Sequence, residues 1–209
     1  MKIELDSIII EYNNCDLPYI DDLITSLNEK ITEILNFFNF SEIKPKVQVR
    51  LWSNLNAFRE NAPFPISEST CGYAYENSKI EVLSLEILKG LKYHEHEKID
   101  NLIALIAHEF VHICHNRFSE EESYVWLWEG LATFLSHQYN KSDFHFETTL
   151  EEMKEEKNTD YREYFTMFYY VYTEYEKEYI FDLLKDFELS KKETPRLYEE
   201  TKKIIKNYK

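Results

Sequence analysis

The chain has 209 residues, 44% hydrophobic and 16% aromatic, enough for one compact domain or two lobes sharing a cleft. Its formal charge of −15 argues against nucleic acid and anionic membranes as partners, since counterion release from phosphates needs clustered Lys and Arg; the basic run from Lys202 to Lys209 is short. Three glycines and five prolines speak against a turn-rich all-β protein and for long helices.

Residues 2–12 alternate and then run apolar, and predict a first strand. From Pro18 to Phe40, Ile20, Leu23, Ile24, Leu27, Ile31, Ile34, Leu35 and Phe38 recur at helical spacing, with Pro18 suited to the first turn. Lys46–Trp52 alternates as a strand, and Asn54–Asn61 reads as a short helix stopped by Pro63 and Pro65. Cys71–Leu85 reads as a hairpin with arms Gly72–Tyr75 and Lys79–Leu83 and a turn at Asn77-Ser78. Lys89–Lys98 is polar and predicts a loop, in which His94 and His96 read as solvated.

Everything beyond reads as helical. Asp100 is placed to cap a helix over Leu102, Ile103, Leu105, Ile106, Phe110 and Ile113. Ser119 and Glu122 have the spacing of a capping box for a helix over about Glu121–Gln138. Phe146–Glu156, a long aromatic stretch Asp160–Leu189 and Pro195–Tyr208 follow. Strands first and helices last predict an α+β chain, its mixed-sheet N-terminal lobe spanning 1–118 and its helical C-terminal lobe 119–209.

No stretch is long and apolar enough to span a bilayer, and the acids of Met1–Asp6 interrupt any signal-peptide run. Cys15, Cys71 and Cys114 are odd in number and lack CxxC spacing. Together these point to a cytoplasmic protein.

The chemistry concentrates in His108-Glu109-Phe110-Val111-His112. Histidines four apart on a helix lie on one face, one turn apart, and can share one Zn²⁺. Glu109 is rotated about 100° from His108, so it borders the metal without binding it. Leu105, Ile106, Phe110 and Ile113 would bury this helix, where two imidazoles and a carboxylate are costly unless satisfied. Candidates for a third ligand are His115, Glu129, His137 and His145. His115 lies too far along the same helix. Glu129 stands on the next helix, in Trp126-Leu127-Trp128-Glu129-Gly130-Leu131-Ala132, whose small Gly130 and Ala132 allow close packing. The metzincin pattern would need a glycine and a third histidine just behind the motif, where Asn116 and Phe118 stand.

HExxH followed by W-L-x-E-G-x-A resembles the gluzincin zinc metallopeptidases, the group of the thermolysin-like enzymes and the aminopeptidases related to leukotriene A4 hydrolase. The resemblance covers about residues 70–175. It implies a zincin-like fold with the active-site helix between the lobes, His108, His112 and Glu129 as zinc ligands, and Glu109 as general base toward a metal-activated water. The implied activity is hydrolysis of a peptide or protein substrate. The interval between His112 and Glu129 is slightly short for that group. Tyr161-Arg162-Glu163-Tyr164 through Tyr170 resembles the aminopeptidases' catalytic-tyrosine pattern, with Tyr164 in place of a glycine; this implies Tyr161, or next Tyr164, as oxyanion partner. A Tyr/Phe stripe at this spacing also fits core packing. Gly72, Tyr73, Ala74 and Tyr75 stand where such enzymes bind substrate backbone along an edge strand. Ala74-Tyr75-Glu76-Asn77 partly matches the G-A-M-E-N segment whose glutamate holds a substrate's free amine, which would make Glu76 an anchor; a turn residue is the alternative. Exo- and endopeptidase readings both stay open, as does a zincin-fold protein that binds metal or a partner without catalysis.

Overall fold

A computed structural model describes residues 1–92, 94–119, 123–155 and 160–206. The chain is mixed α+β and divides into two compact units, Met1–Cys114 and His115–Lys209. The boundary falls inside a continuous helix.

The first unit carries one five-stranded sheet: β1 (Lys2–Glu4), β2 (Ile8–Glu11), β3 (Val47–Trp52), β4 (Gly72–Tyr75) and β5 (Lys79–Leu83), in the order β1-β2-β3-β5-β4. β2, β3 and β5 run parallel, and β1 and β4 are antiparallel edges. The single strand expected over 2–12 is therefore two. Leu5-Asp6-Ser7 breaks the alternation, and the Leu5 N–H donates to the Ile8 carbonyl at 2.9 Å to close a turn. The parallel β2–β3 pair needs a crossover, and α1 (Ile20–Phe38) lies between them in the chain. Its Leu23, Leu27, Ile31 and Ile34 form a buried stripe. It starts two residues past Pro18 and ends on Asn39, whose φ of 58° makes a left-handed stop.

Period-two alternation sorts the sheet's faces. Ile8, Ile10, Val47, Val49, Leu51, Ile80 and Val82 are buried on one face. Gly72 belongs to that face. A Cβ there would stand 2.8 Å from Val82 Cγ1 and 3.3 Å from Leu105, so the edge strand packs tightly beneath α4 (Ile99–Phe118). The opposite face presents Tyr73, whose ring packs on Phe58 of α2 (Leu55–Glu60) at 5.2 Å and on Phe64 at 5.4 Å. Asn54 caps α2 by accepting from the Ala57 N–H at 2.9 Å. The β4–β5 arms match those read from the sequence, but the turn begins one residue earlier. Glu76 and Asn77 both have positive φ, 52° and 50°, as hairpin turns of matching twist require.

Between the expected hairpin and the stretch expected as a loop from Lys89, α3 (Leu85–Lys89) forms a short helix and buries Leu85 and Leu88. Asp100 is not the cap of α4. It sits in the first turn, where an acid complements the helix dipole, and the Lys98 N–H donates instead to Asn101 Oδ1 at 3.0 Å.

The second unit is helical: the end of α4 from His115, then α5 (Val125–Leu135), α6 (Leu150–Glu155), α7 (Tyr161–Glu174), α8 (Lys177–Lys185) and α9 (Phe187–Ile205). α5 and α7 meet backbone to backbone at Gly130, where a Cβ would stand 2.6 Å from the Tyr164 carbonyl oxygen and 2.7 Å from Phe168 Cβ. The aromatic stretch Asp160–Leu189 is three helices rather than one. Asp160 caps α7 through the Arg162 N–H at 2.8 Å, the chain turns extended at Tyr175-Glu176, and Asp186 caps α9 through the Leu189 N–H at 2.8 Å. Pro195 starts no helix; it lies inside α9, whose Leu197, Tyr198, Thr201 and Ile205 are buried. Burial of that face offsets the hydrogen bond a mid-helix proline removes. The expected cap at Glu122, the helix start at Glu121, and the ends at Glu156 and Tyr208 lie outside the described residues. No helix among the described residues is long and apolar enough to cross a membrane.

Candidate metal centre

His108, Glu109 and His112 sit where α4 is buried all round. Ile106, Ala107, Phe110, Val111 and Cys114 are fully inaccessible, and the three polar residues are at most 9% exposed. A helix buried on every side is a core element, and its three polar residues are buried with it. The imidazoles stand edge to face, centroids 4.7 Å apart, with their Nε2 atoms 3.0 Å apart. The i, i+4 spacing thus turns both Nε2 atoms toward one point.

Glu129 is half-buried on α5. Its neighbours explain its fixed place. Gly130 brings α5 against α7, and Trp126 Nε1 donates to Thr194 Oγ1 of α9 at 2.9 Å. The Thr133 hydroxyl donates back to the Glu129 carbonyl at 2.7 Å. One donor atom each from His108, His112 and Glu129 lie within 4.8 Å of one another. Tetrahedral zinc, with bonds of roughly 2.0–2.1 Å, sets its ligand atoms about 3.3 Å apart. Two imidazole nitrogens and a carboxylate oxygen are a donor set that a metal ion can use.

The other candidates are held elsewhere. His115 is buried, its Nε2 3.1 Å from Ser123 Oγ and its ring against Trp128 at 5.5 Å. Ser123 is not singled out in the sequence, and Trp128 only as a flank of Glu129, because no motif links either to His115. His137 has a φ of 58° just past the end of α5. His145 places Nε2 3.5 Å from the buried carboxylate of Glu163.

Tyr161 opens α7 and is exposed; its ring meets Tyr164 edge-on at 6.0 Å. Tyr164 is buried, and its carbonyl faces Gly130. Gly72, Tyr73, Ala74 and Tyr75 form β4, which has a free edge among the described strands. Burial and the neighbouring Glu81 push the Tyr73 and Tyr75 phenols up to about 12, so both stay protonated near neutral pH. Glu76 lies on the exposed turn and pairs with Lys79 at 2.6 Å. No protein-family model, no curated protein and no solved structure matches the chain.

Proposed function

We propose that this chain is a zinc-dependent metallopeptidase of the gluzincin type with a zincin-like fold. The observation that carries the reading is the convergence of His108, His112 and Glu129 donor atoms within 4.8 Å, with Glu109 next to the first ligand on a buried helix. Zinc held there would supply a Lewis acid for the scissile carbonyl. Glu109 takes a proton from the attacking water and passes it to the leaving amine. Tyr161 donates a hydrogen bond to the oxyanion. The β4 edge takes an extended peptide backbone by strand addition, with Glu76 beyond its end. The substrate is a peptide or protein, not nucleic acid, and three cysteines with no disulfide among them suit a reducing cytoplasm.

The test pairs metal analysis with cleavage of a peptide library bearing free and blocked N-termini. The expected result is stoichiometric zinc, lost in His108→Ala, and cleavage that falls roughly 10²–10⁴-fold in Glu109→Gln. Preference for free N-termini would assign an aminopeptidase. Protein purified without chelators that holds no zinc would overturn the metal reading. Zinc bound with cleavage indifferent to Glu109→Gln would overturn the proposed base, and zinc bound without cleavage would leave a non-catalytic metal-binding protein.

A further inference from the structure

A second cluster lies in the first unit, in side chains the metal chemistry does not use. Cys71 immediately precedes β4 and is half-buried. His94 Nε2 stands 3.8 Å from Cys71 Sγ, and His94 Nδ1 stands 3.0 Å from Glu97 Oε1. This corrects the reading of His94 as merely solvated: its side chain is 31% exposed and held on both nitrogens. The second Glu97 oxygen is buried and has no hydrogen-bond partner among the described residues. A carboxylate at Nδ1 fixes the tautomer with the proton on Nδ1. The Nε2 lone pair then faces the thiol sulfur, whose S–H also reaches the Ser69 carbonyl at 3.4 Å, and an imidazole so placed can take a nucleophile's proton once the S–H turns to it. The contact is long for a hydrogen bond to sulfur, as catalytic contacts without substrate often are.

The charged groups around the thiol are few. Burial, then Glu97, raise the Cys71 thiol above its ordinary value, and Arg59 works weakly against them. The resting form is therefore the thiol, and reactivity needs the base. Cys15 provides a contrast within the same chain. It is also a half-buried free thiol, but its Sγ contacts Asp16 Oδ1 at 3.7 Å and Ser84 Oγ at 3.9 Å, with no imidazole. Cys114 is fully buried.

We propose that Cys71, His94 and Glu97 form a nucleophilic centre that accepts an acyl group from an activated ester or thioester. The Cys71 proton passes to His94 Nε2 as sulfur adds to the acyl carbonyl carbon. The bond from that carbon to the leaving oxygen or sulfur then breaks, and the leaving group takes the proton from His94. Cys71 is left as an S-acyl thioester. Water attack, with His94 accepting a water proton and returning one to sulfur, releases the carboxylic acid and restores the thiol. Glu97 acts as a positioning residue that holds the imidazole and stabilises its charged form.

The test treats the full chain with p-nitrophenyl acetate and maps acetylation by peptide mass spectrometry over time. Cys71 is expected to acetylate at least about tenfold faster than Cys15 in the same molecules, since general-base assistance contributes roughly 10²–10⁴-fold. His94→Gln is expected to slow Cys71 by about 100-fold and leave Cys15 unchanged, with a smaller loss in Glu97→Gln. The wild-type Cys71 rate should level off as pH rises. In His94→Gln it should keep climbing into alkaline pH, because only free thiolate then reacts. The internal comparison with Cys15 needs no variant to fold. Cys71 reacting no faster than Cys15, or with a rate and pH profile unchanged by His94→Gln, would overturn the proposal.

Discussion

α4 and α5 each carry residues of the candidate metal centre, and they are fixed by opposite means. α4 is held by volume: around His108 and His112 its own residues Ile106, Ala107, Phe110, Val111 and Cys114 are all inaccessible. α5 is held by the absence of volume, because Gly130 lets the Tyr164 carbonyl come within 2.6 Å of where a Cβ would stand. Packed side chains repack partially when one shrinks. A backbone-to-backbone contact has no rotamer through which to yield. The two helices that carry the candidate centre should therefore fail under opposite substitutions, one when atoms are removed and the other when a single carbon is added.

The largest effect is expected on the side held by volume. Phe110→Ala should cost about 3–5 kcal/mol, read as a shift of the urea midpoint. A cost under about 1 kcal/mol would show that the surroundings collapse into the space and that α4 is not held by packing. Next comes Gly130→Ala. Overpacking against a backbone carbonyl should cost about 1–3 kcal/mol and weaken zinc binding, measured calorimetrically, even though alanine is the better helix former. A neutral or stabilising result would erase the contrast between the helices.

The smallest effect concerns α7, the helix Gly130 meets. Its Glu163 is 4% exposed and accepts from the Glu147 and Thr148 backbone N–H groups at 2.9–3.2 Å. Burial raises its carboxyl pKa, while those N–H donors and His145 oppose the shift. A carboxyl whose folded pKa is raised disfavours folding when ionised. That penalty should fade as pH drops through the folded value toward the ordinary 4.5. Stability of the His145→Gln chain relative to the His145→Gln/Glu163→Gln chain should therefore rise on acidification. A relative stability that stays flat or falls would mean the backbone donors outweigh burial.

What the sequence made legible follows the range of the interactions involved. The His108–His112 pair depends only on helical pitch, and the arms of the β4–β5 hairpin only on alternation, so both could be read directly. The split of Asp160–Leu189 could not. Aromatic residues continue through it; the break at Asp186 reflects a side-chain cap that competes locally with helix continuation, while Tyr175-Glu176 is an extended step with no side-chain cap bond. Pro195 misled in the other direction, since burial of α9's apolar face outweighs a propensity rule. Glu129 was reachable because Gly130 and two tryptophans marked its segment. The Cys71–His94–Glu97 cluster was not, because its sulfur and ring are brought together by the fold across 23 positions with no motif between them.

The free edge of β4 has a consequence for how this protein behaves in bulk. A strand at the edge of the described sheet offers its ladder to any extended segment, including one from another copy or from a partly unfolded neighbour. Two features limit that hazard. The edge is only four residues long and ends in a turn held by the Glu76–Lys79 ion pair, and a charge of −15 drives like molecules apart. Concentrated salt removes the second protection and leaves the first. Ionic strength would then set the concentration at which this chain stays dispersed.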